Sequence, residues 1–342
     1  MTPSSMSSAP PYGALPDDVI RSVVAQATLA PSLHNSQPWR FVSDGRRLDV
    51  LADRSRQLPV ADPDGRQLRL SCGAALLLAR LALADTGRTP RVTLVPDRAA
   101  PDLLARIDIG AARPGSATAA DTALLAAAPR RHSHRQPFRP GRLPRDVLHA
   151  LGVAAEVEGT RLHLVEHARE RAALARLVLD ADTAQQADPG WQEELARWSR
   201  FDDTATDGIP RAAVGPGGRA RTEAEFRQRD FDVTGTAAAD SPGRDEPDVA
   251  VLWTVRDDPV EHLRAGQALT RLLLTATVHG AAASLLDQPV ELPALRALLR
   301  QQAGIHGYPQ VVLRLGFGES GVASPRRPVE EVLQIRRPTT GR

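Results

Sequence analysis

Apolar residues at helical spacing, opened by a proline and two acids, make Leu15-Pro16-Asp17-Asp18-Val19-Ile20 the start of a helix that runs to about Leu29. Phe41-Val42 and residues 48–51 flank Asp44-Gly45 and read as a β-hairpin. Residues 67–85 form a long apolar helix stopped by Gly87, and 91–95 and 106–109 are short strands around a helical turn. The same grammar then returns. Leu143-Pro144-Arg145-Asp146-Val147-Leu148 matches residues 15–20 at an offset of 128. Gly73-x-Ala75-Leu76, Leu81 and Gly87 map onto Gly266-x-Ala268-Leu269, Leu274 and Gly280 at an offset of 193, which Pro96 and Pro289 keep. Ile107-Asp108-Ile109-Gly110 echoes Leu313-Arg314-Leu315-Gly316. Constant order and spacing predict two fused copies of one α+β unit, residues 14–125 and 126–342.

The offset grows from 128 to 193, so the second copy carries 65 extra residues between Val153 and Gly266. Residues 185–245, rich in Gly, Pro, Asp and Arg, are the expected site. A disordered linker should be poor in aromatics, yet this stretch holds Trp191, Trp198, Phe201, Phe226 and Phe231. It is expected to be a mobile lid, partly helical over 191–198; an ordinary surface insertion is the other reading. Residues 1–13, rich in Ser, Pro and Ala, are expected to be disordered.

Composition narrows the function. The chain has 342 residues, 42% of them hydrophobic, with no apolar run long enough to span a membrane and no secretion signal at its N-terminus. Cys72 is the single cysteine, which excludes an internal disulfide and a cysteine-based zinc site. The chain reads as cytoplasmic. All 43 basic residues are arginine, but the formal net charge is only +2. That excess is too small to imply a nucleic acid or a membrane as partner, and 4 Trp, 2 Tyr and 6 Phe leave no stacking platform for single strands.

Two segments carry candidate chemistry. In 28–41, Pro31 ends the first helix and Pro38 restricts Gln37; the loop between them is stiff and carries Ser32, His34, Asn35, Ser36 and Gln37. Neutral donors and acceptors in a stiff loop suit the edge of a flat heterocycle; equally, the stretch reads as a polar connection with Asn35 in a turn. Ala30-Pro31-Ser32-x-x-Asn35-x-Gln37-Pro38-Trp39 resembles the APSxxNxQPW signature of the nitroreductase superfamily of FMN flavoproteins. The resemblance makes Pro31, Ser32, Leu33 and Asn35 cofactor contacts.

The second segment is Arg131-His132-Ser133-His134-Arg135, whose guanidinium forks and hydroxyl suit a phosphate. His132-x-His134 has no acid or third ligand near it in sequence, so no metal is expected. The segment resembles the Arg-x-Ser-x-Lys/Arg opening of nitroreductases. The resemblance gives Arg131 the phosphate, Ser133 the ribityl hydroxyls, and Arg135 the N1–O2 edge of the ring, where a fixed cation favours the reduced cofactor. The corresponding stretch before the first copy, residues 9–13, holds no basic residue. One loop and one basic segment imply one FMN per chain. This pattern is similar to the single-chain, internally duplicated Acg-like branch over residues 14–337: a nitroreductase-like α+β fold whose two halves form a monomeric pseudo-dimer around one flavin site.

By the same resemblance, Asp287 and Gln288 stand where the family has Glu-Gly beside flavin N5, and Arg326 matches the Arg of a Lys-x-Arg phosphate clamp whose Lys is replaced by Ser324. Gly316-Phe317-Gly318-Glu319-Ser320-Gly321 fits a dinucleotide fingerprint, but the prolines that follow cannot open a packed helix. The implied activity is hydride transfer from NAD(P)H through FMN to an electron-poor small molecule, nitroaromatic or quinone-like. The alternatives are a flavin-sequestering or sensor protein with a closed lid, and a cofactor-free interaction module.

Overall fold

A computed structural model describes residues 13–113, 115–200, 204–213, 226, 229, 231, 247–318, 321 and 323–336. The expectation for 1–12, Phe201 and most of the expected lid lie outside the described residues. The first half holds α1 (Asp17–Ala27), β1 (Trp39–Ser43), β2 (Arg47–Ala52), α2 (Arg66–Asp85), β3 (Arg91–Leu94), β4 (Leu103–Asp108) and α3 (Ala119–Ala127). The second half opens with α4 (Arg145–Val157) and β5 (Arg161–Leu164). There follow α5 (Ala168–Ala187), α6 (Pro189–Trp198) and the short parallel pair β6 (Ser199–Arg200) and β7 (Ile209–Pro210). It closes with β8 (Asp248–Thr254), α7 (Pro259–Val278), β9 (Ala282–Leu285), α8 (Gln288–Glu291), α9 (Pro293–Gln302), β10 (Tyr308–Gly316), α10 (Val329–Val332) and β11 (Leu333–Ile335).

Two mixed helix-and-sheet layers result. The sheets run β11-β1-β2-β4-β3 and β5-β8-β10-β9, so the order of the first four strands of one half is the order of the other. Their sequences differ because their surroundings do. β1 alternates buried and accessible positions, as a strand covered on one face does; β8 and β10 are buried almost throughout. The second face of that sheet is covered by α5 and α9, through Leu174, Leu177, Val178 and Leu299. Between β5 and β8 the chain runs through residues 165–247, where β1 and β2 are joined by a hairpin.

The halves meet along α2 and α7. A Cβ on Gly73 would lie 2.2 Å from the Leu263 carbonyl oxygen, and one on Gly266 would lie 1.9 Å from that of Leu70. Leu70 and Leu263 stand at the same 193-residue offset as the two glycines, so the contact is reciprocal, as in a two-fold interface. Contrary to the expectation from hydropathy, Arg66–Asp85 is long and apolar enough to cross a membrane; it is buried in the core instead. Its partner helix supplies the apolar surroundings. Finally, β11 crosses to the first sheet and adds to β1 in parallel, Phe41 beside Leu333.

Candidate functional site

The loop after α1 is held in an unusual backbone. His34, Asn35 and Gln37 have φ of 49°, 55° and 50°, the left-handed region that costs most side chains energy. Hydrogen bonds over-determine it. The Ser32 hydroxyl accepts from the Gln37 N–H at 2.9 Å; Gln37 Nε2 donates to the Thr206 carbonyl at 2.9 Å, and Gln37 Oε1 accepts from the Arg327 N–H at 2.9 Å. Asn35 Nδ2 donates to the carbonyls of Gly208 (2.9 Å) and Pro325 (3.0 Å), while its Oδ1 accepts from Arg326 Nη1 at 3.1 Å. The Asn35 amide thus clasps the insertion and the C-terminal arm onto the loop, a structural duty that its sequence motif did not announce. Asn35→Ala should cost about 1–3 kcal/mol by leaving buried carbonyls unpaired. Limited proteolysis should show faster cleavage between residues 199 and 213.

The basic segment is fixed from the other side. The His134 N–H donates to the Ala283 carbonyl at 2.8 Å, which ties the segment alongside β9. His132 Nε2 accepts from the Gly321 N–H at 2.7 Å and Nδ1 lies 3.1 Å from the Arg130 carbonyl, a pairing that fits a neutral ring with its proton on Nδ1. The two segments meet at one atom: the Leu29 carbonyl accepts from Arg131 Nη2 (3.4 Å) and Arg326 Nη2 (3.2 Å).

Between them lies a cavity of about 1210 Å3, part of it open to solvent. Its walls include Pro31, Ser32, Leu33, Asn35, Arg131, His132, Ser133, Arg135, Asp287, Gln288 and Arg326, the residues expected to touch a cofactor; Ser36 and Gln37, the other polar residues of the loop, are not among them. His34, Gln67, Ser71, Ile209, Arg229, Phe231 and Ser284 complete it without having been singled out as site residues. Ile209, Arg229 and Phe231 come from the insertion, where no motif marks them. Arg135 donates to the Ala213 carbonyl at 3.1 Å and sits 5.0 Å from the centre of the Phe231 ring. Phe231 in turn meets His34 edge-on at 5.7 Å.

The electrostatics are lopsided. Arg131 is pushed down to about 9, by burial first and then by Arg326 and Arg135; Arg326, by burial, and Arg135, by burial and then Arg229, fall to about 10. Among the described residues no carboxylate pairs with any of the three. Buried nitrogens without partners remain at Arg131 Nε, Arg326 Nε and Gln67 Nε2. Burial and then the same cations, Arg229 and Arg135, hold His34 well below its ordinary value. Burial and Glu291 push Asp287 up to about 7. The folded chain therefore keeps a proton that an unfolded Asp has released, and this group weighs increasingly against the fold as pH rises from about 4 through about 7. A surplus of desolvated donors around a walled cavity suits a ligand with a strong anion at one end and carbonyl acceptors elsewhere.

Over nearly its whole length the chain is similar to two proteins of Mycobacterium tuberculosis strain H37Rv. One is named "Putative NAD(P)H nitroreductase Rv3131": 33% identity over 326 residues, covering 93% of this chain and 91% of the relative. The other is named "Putative NAD(P)H nitroreductase acg": 33% identity over 332 residues, covering 93% and 96%. Among solved structures, the FMN-dependent nitroreductase NfnB from Mycobacterium smegmatis, in complex with NADPH, aligns with TM-score 0.39 and 18% identity over 63% of this chain and 99% of that chain. No protein-family model matches the chain.

Proposed function

The chain belongs to the NAD(P)H nitroreductase family, and from that premise we propose that it is an FMN-dependent oxidoreductase taking hydride from NAD(P)H and passing it to an electron-poor acceptor, nitroaromatic or quinone-like. One observation carries the reading: Arg131, Arg135 and Arg326 line a single cavity, and among the described residues none has an anionic partner. FMN fits that donor set, because its phosphate supplies the missing anion and its ring edge supplies acceptors for N–H groups. When bound, FMN supplies the two-electron carrier that neither side chains nor backbone provide.

The chain's own contributions follow from what surrounds the cavity. Arg131 and Arg326 would hold the phosphate, and Ser133 the ribityl hydroxyls. Pro31, Ser32 and Leu33, on a backbone that hydrogen bonds keep from relaxing, would form a rigid wall for the ring. Arg135 would place a fixed cation where negative charge grows on reduction, stabilising that state more than the oxidised one. Phe231 and Ile209 would exclude water from that end.

The reading includes one site per fused pair. In the first half α1 reaches β1 through residues 28–38, which carry the loop; in the second, α4 reaches β5 through residues 158–160 alone. No counterpart of the loop exists there to make a second site. The reciprocal Gly73 and Gly266 contacts support treating the halves as the two members of a pseudo-dimer. The relatives' names give no support to a flavin store. Anaerobic mixing of the FMN-loaded chain with NADH and NADPH should bleach the yellow colour, and a quinone should restore it. Absence of bleaching with either donor would contradict the proposal.

A further inference from the structure

A reduction of this class consumes a proton as well as a hydride, and one pair of side chains is placed to deliver it. Helix α8 is a single turn that partitions two cavities. Asp287 and Gln288, at its start, line the central one; Val290 and Glu291, at its end, line a second of about 1150 Å3, part of it open to solvent beside Arg296 and Tyr308. The Glu291 N–H donates to the Asp287 carbonyl at 3.1 Å, so the two carboxyl groups stand one helical turn apart on one face. Both are withdrawn from water: Asp287 is 8% exposed and the Glu291 side chain 1%.

Their hydrogen bonding is incomplete. Glu291 Oε2 accepts from Arg229 (2.5 Å) and Gln185 (2.7 Å), whereas Oε1 is buried with no partner among the described residues. Among the described residues Asp287 Oδ1 accepts only a long 3.3 Å bond, from the Val312 N–H. The charges facing the pair are Arg229 from the insertion and Arg66 from α2, with Asp62, Asp257 and Arg296 around Arg66. Arg66 spends donors on the Val290 and Gln310 carbonyls. Burial and the Glu291 carboxylate a turn away, itself ion-paired with Arg229, both favour the protonated form of Asp287, and the bare Glu291 Oε1 is an acceptor free to take up a proton in transit.

We infer that Asp287 carries a proton and that Glu291 passes its replacement across α8, from the second cavity into the central one, where Asp287 gives its proton to the molecule being reduced. The inference rests on the oxidoreductase reading. NAD(P)H gives up a hydride and leaves as NAD(P)+. The acceptor gains two electrons and a hydrogen with that hydride, and a second hydrogen as the proton: the Asp287 O–H bond breaks as an O–H or N–H bond forms on the acceptor. Glu291 reprotonates Asp287 and is itself refilled from water in the second cavity. One solvent proton is taken up per acceptor reduced.

Two readouts test it, the first without cofactor. Infrared titration of the FMN-free full chain from pH 5 to 9 should show a protonated-carboxyl band that disappears near pH 7 and is missing in Asp287→Asn. In the FMN-loaded chain, Glu291→Gln should slow reoxidation by a quinone about 10²-fold and flatten its pH profile, on the scale of a lost general acid. Asp287→Glu, which keeps the carboxyl, should stay within about tenfold of the parent, well short of that loss. No titrating band, or Glu291→Gln reoxidising with the parent's rate and pH profile, overturns the relay. A titrating band in a chain that NADH and NADPH never bleach keeps the proton on Asp287 but overturns both the oxidoreductase reading and the relay built on it.

Discussion

Arg131→Ala should strip the chain of FMN while making the cofactor-free protein harder to melt. Both effects come from the same charge. With FMN bound, Arg131 would make charge-assisted hydrogen bonds to phosphate, and losing them should cost about 2–3 kcal/mol, roughly 30- to 150-fold in Kd. Without it, Arg131 is a buried cation beside Arg326 and Arg135, held down to about 9 by that burial and repulsion; among the described residues its Nε is unpartnered and its guanidinium makes only a long bond to Leu29. Removing it relieves the cofactor-free fold. A residue serving packing alone would lower stability in both states, so the opposite signs identify an anion site. Arg131→Lys should fall between, since it keeps the charge but loses the fork. Fluorescence titration with FMN and thermal melts with and without it read the two effects.

Gly266→Ala should be the most destabilising small substitution at the interface between the halves. In an exposed helix the change would gain up to about 1 kcal/mol. Here the new Cβ would lie 1.9 Å from the Leu70 carbonyl oxygen and 2.8 Å from the Ala74 nitrogen, both backbone atoms that no rotamer change can move. α2 and α7 would have to separate along the seam that also carries the cavity residues Gln67, Leu70, Ser71 and Leu269. A loss of about 3 kcal/mol or more is expected, roughly 4 °C or more in Tm for a chain of 342 residues, together with weaker FMN binding. Gly152, in α4, is the control, because a methyl added there would meet nothing within 4 Å: Gly152→Ala should be neutral or stabilising. Equal melting temperatures for the two variants would refute the close-approach account.

The sequence was most informative where function or close contact is written locally. Gly73 and Gly266 stood out as matched positions, and a helix crossing this tight tolerates nothing larger. The 30–39 and 131–135 segments stood out because short runs of unusual residues carry them, and the structure brings both to one cavity. What stayed hidden depends on long-range placement. Arg229 and Phe231 reach the cavity from a stretch whose only signal was an excess of aromatics. The left-handed backbone of His34 and Gln37 belongs to side chains without a strong preference for it, so no propensity announces it. Asn35 lines the cavity, but the sequence did not show that its amide also bonds Gly208, Pro325 and Arg326, partners far from it in sequence. Asp287 and Glu291 reveal their coupling only when α8 is seen to separate two cavities.

The central claim is that one walled cavity, with three arginines lacking an anionic partner among the described residues, holds one FMN by its phosphate. Equilibrium titration of the cofactor-free chain with FMN and, in parallel, with riboflavin tests it most directly. Saturation is expected at one FMN per chain, with an affinity for riboflavin lower by about 10²-fold or more, since the phosphate contacts are absent. Two FMN per chain, or equal affinity for the two flavins, would contradict it.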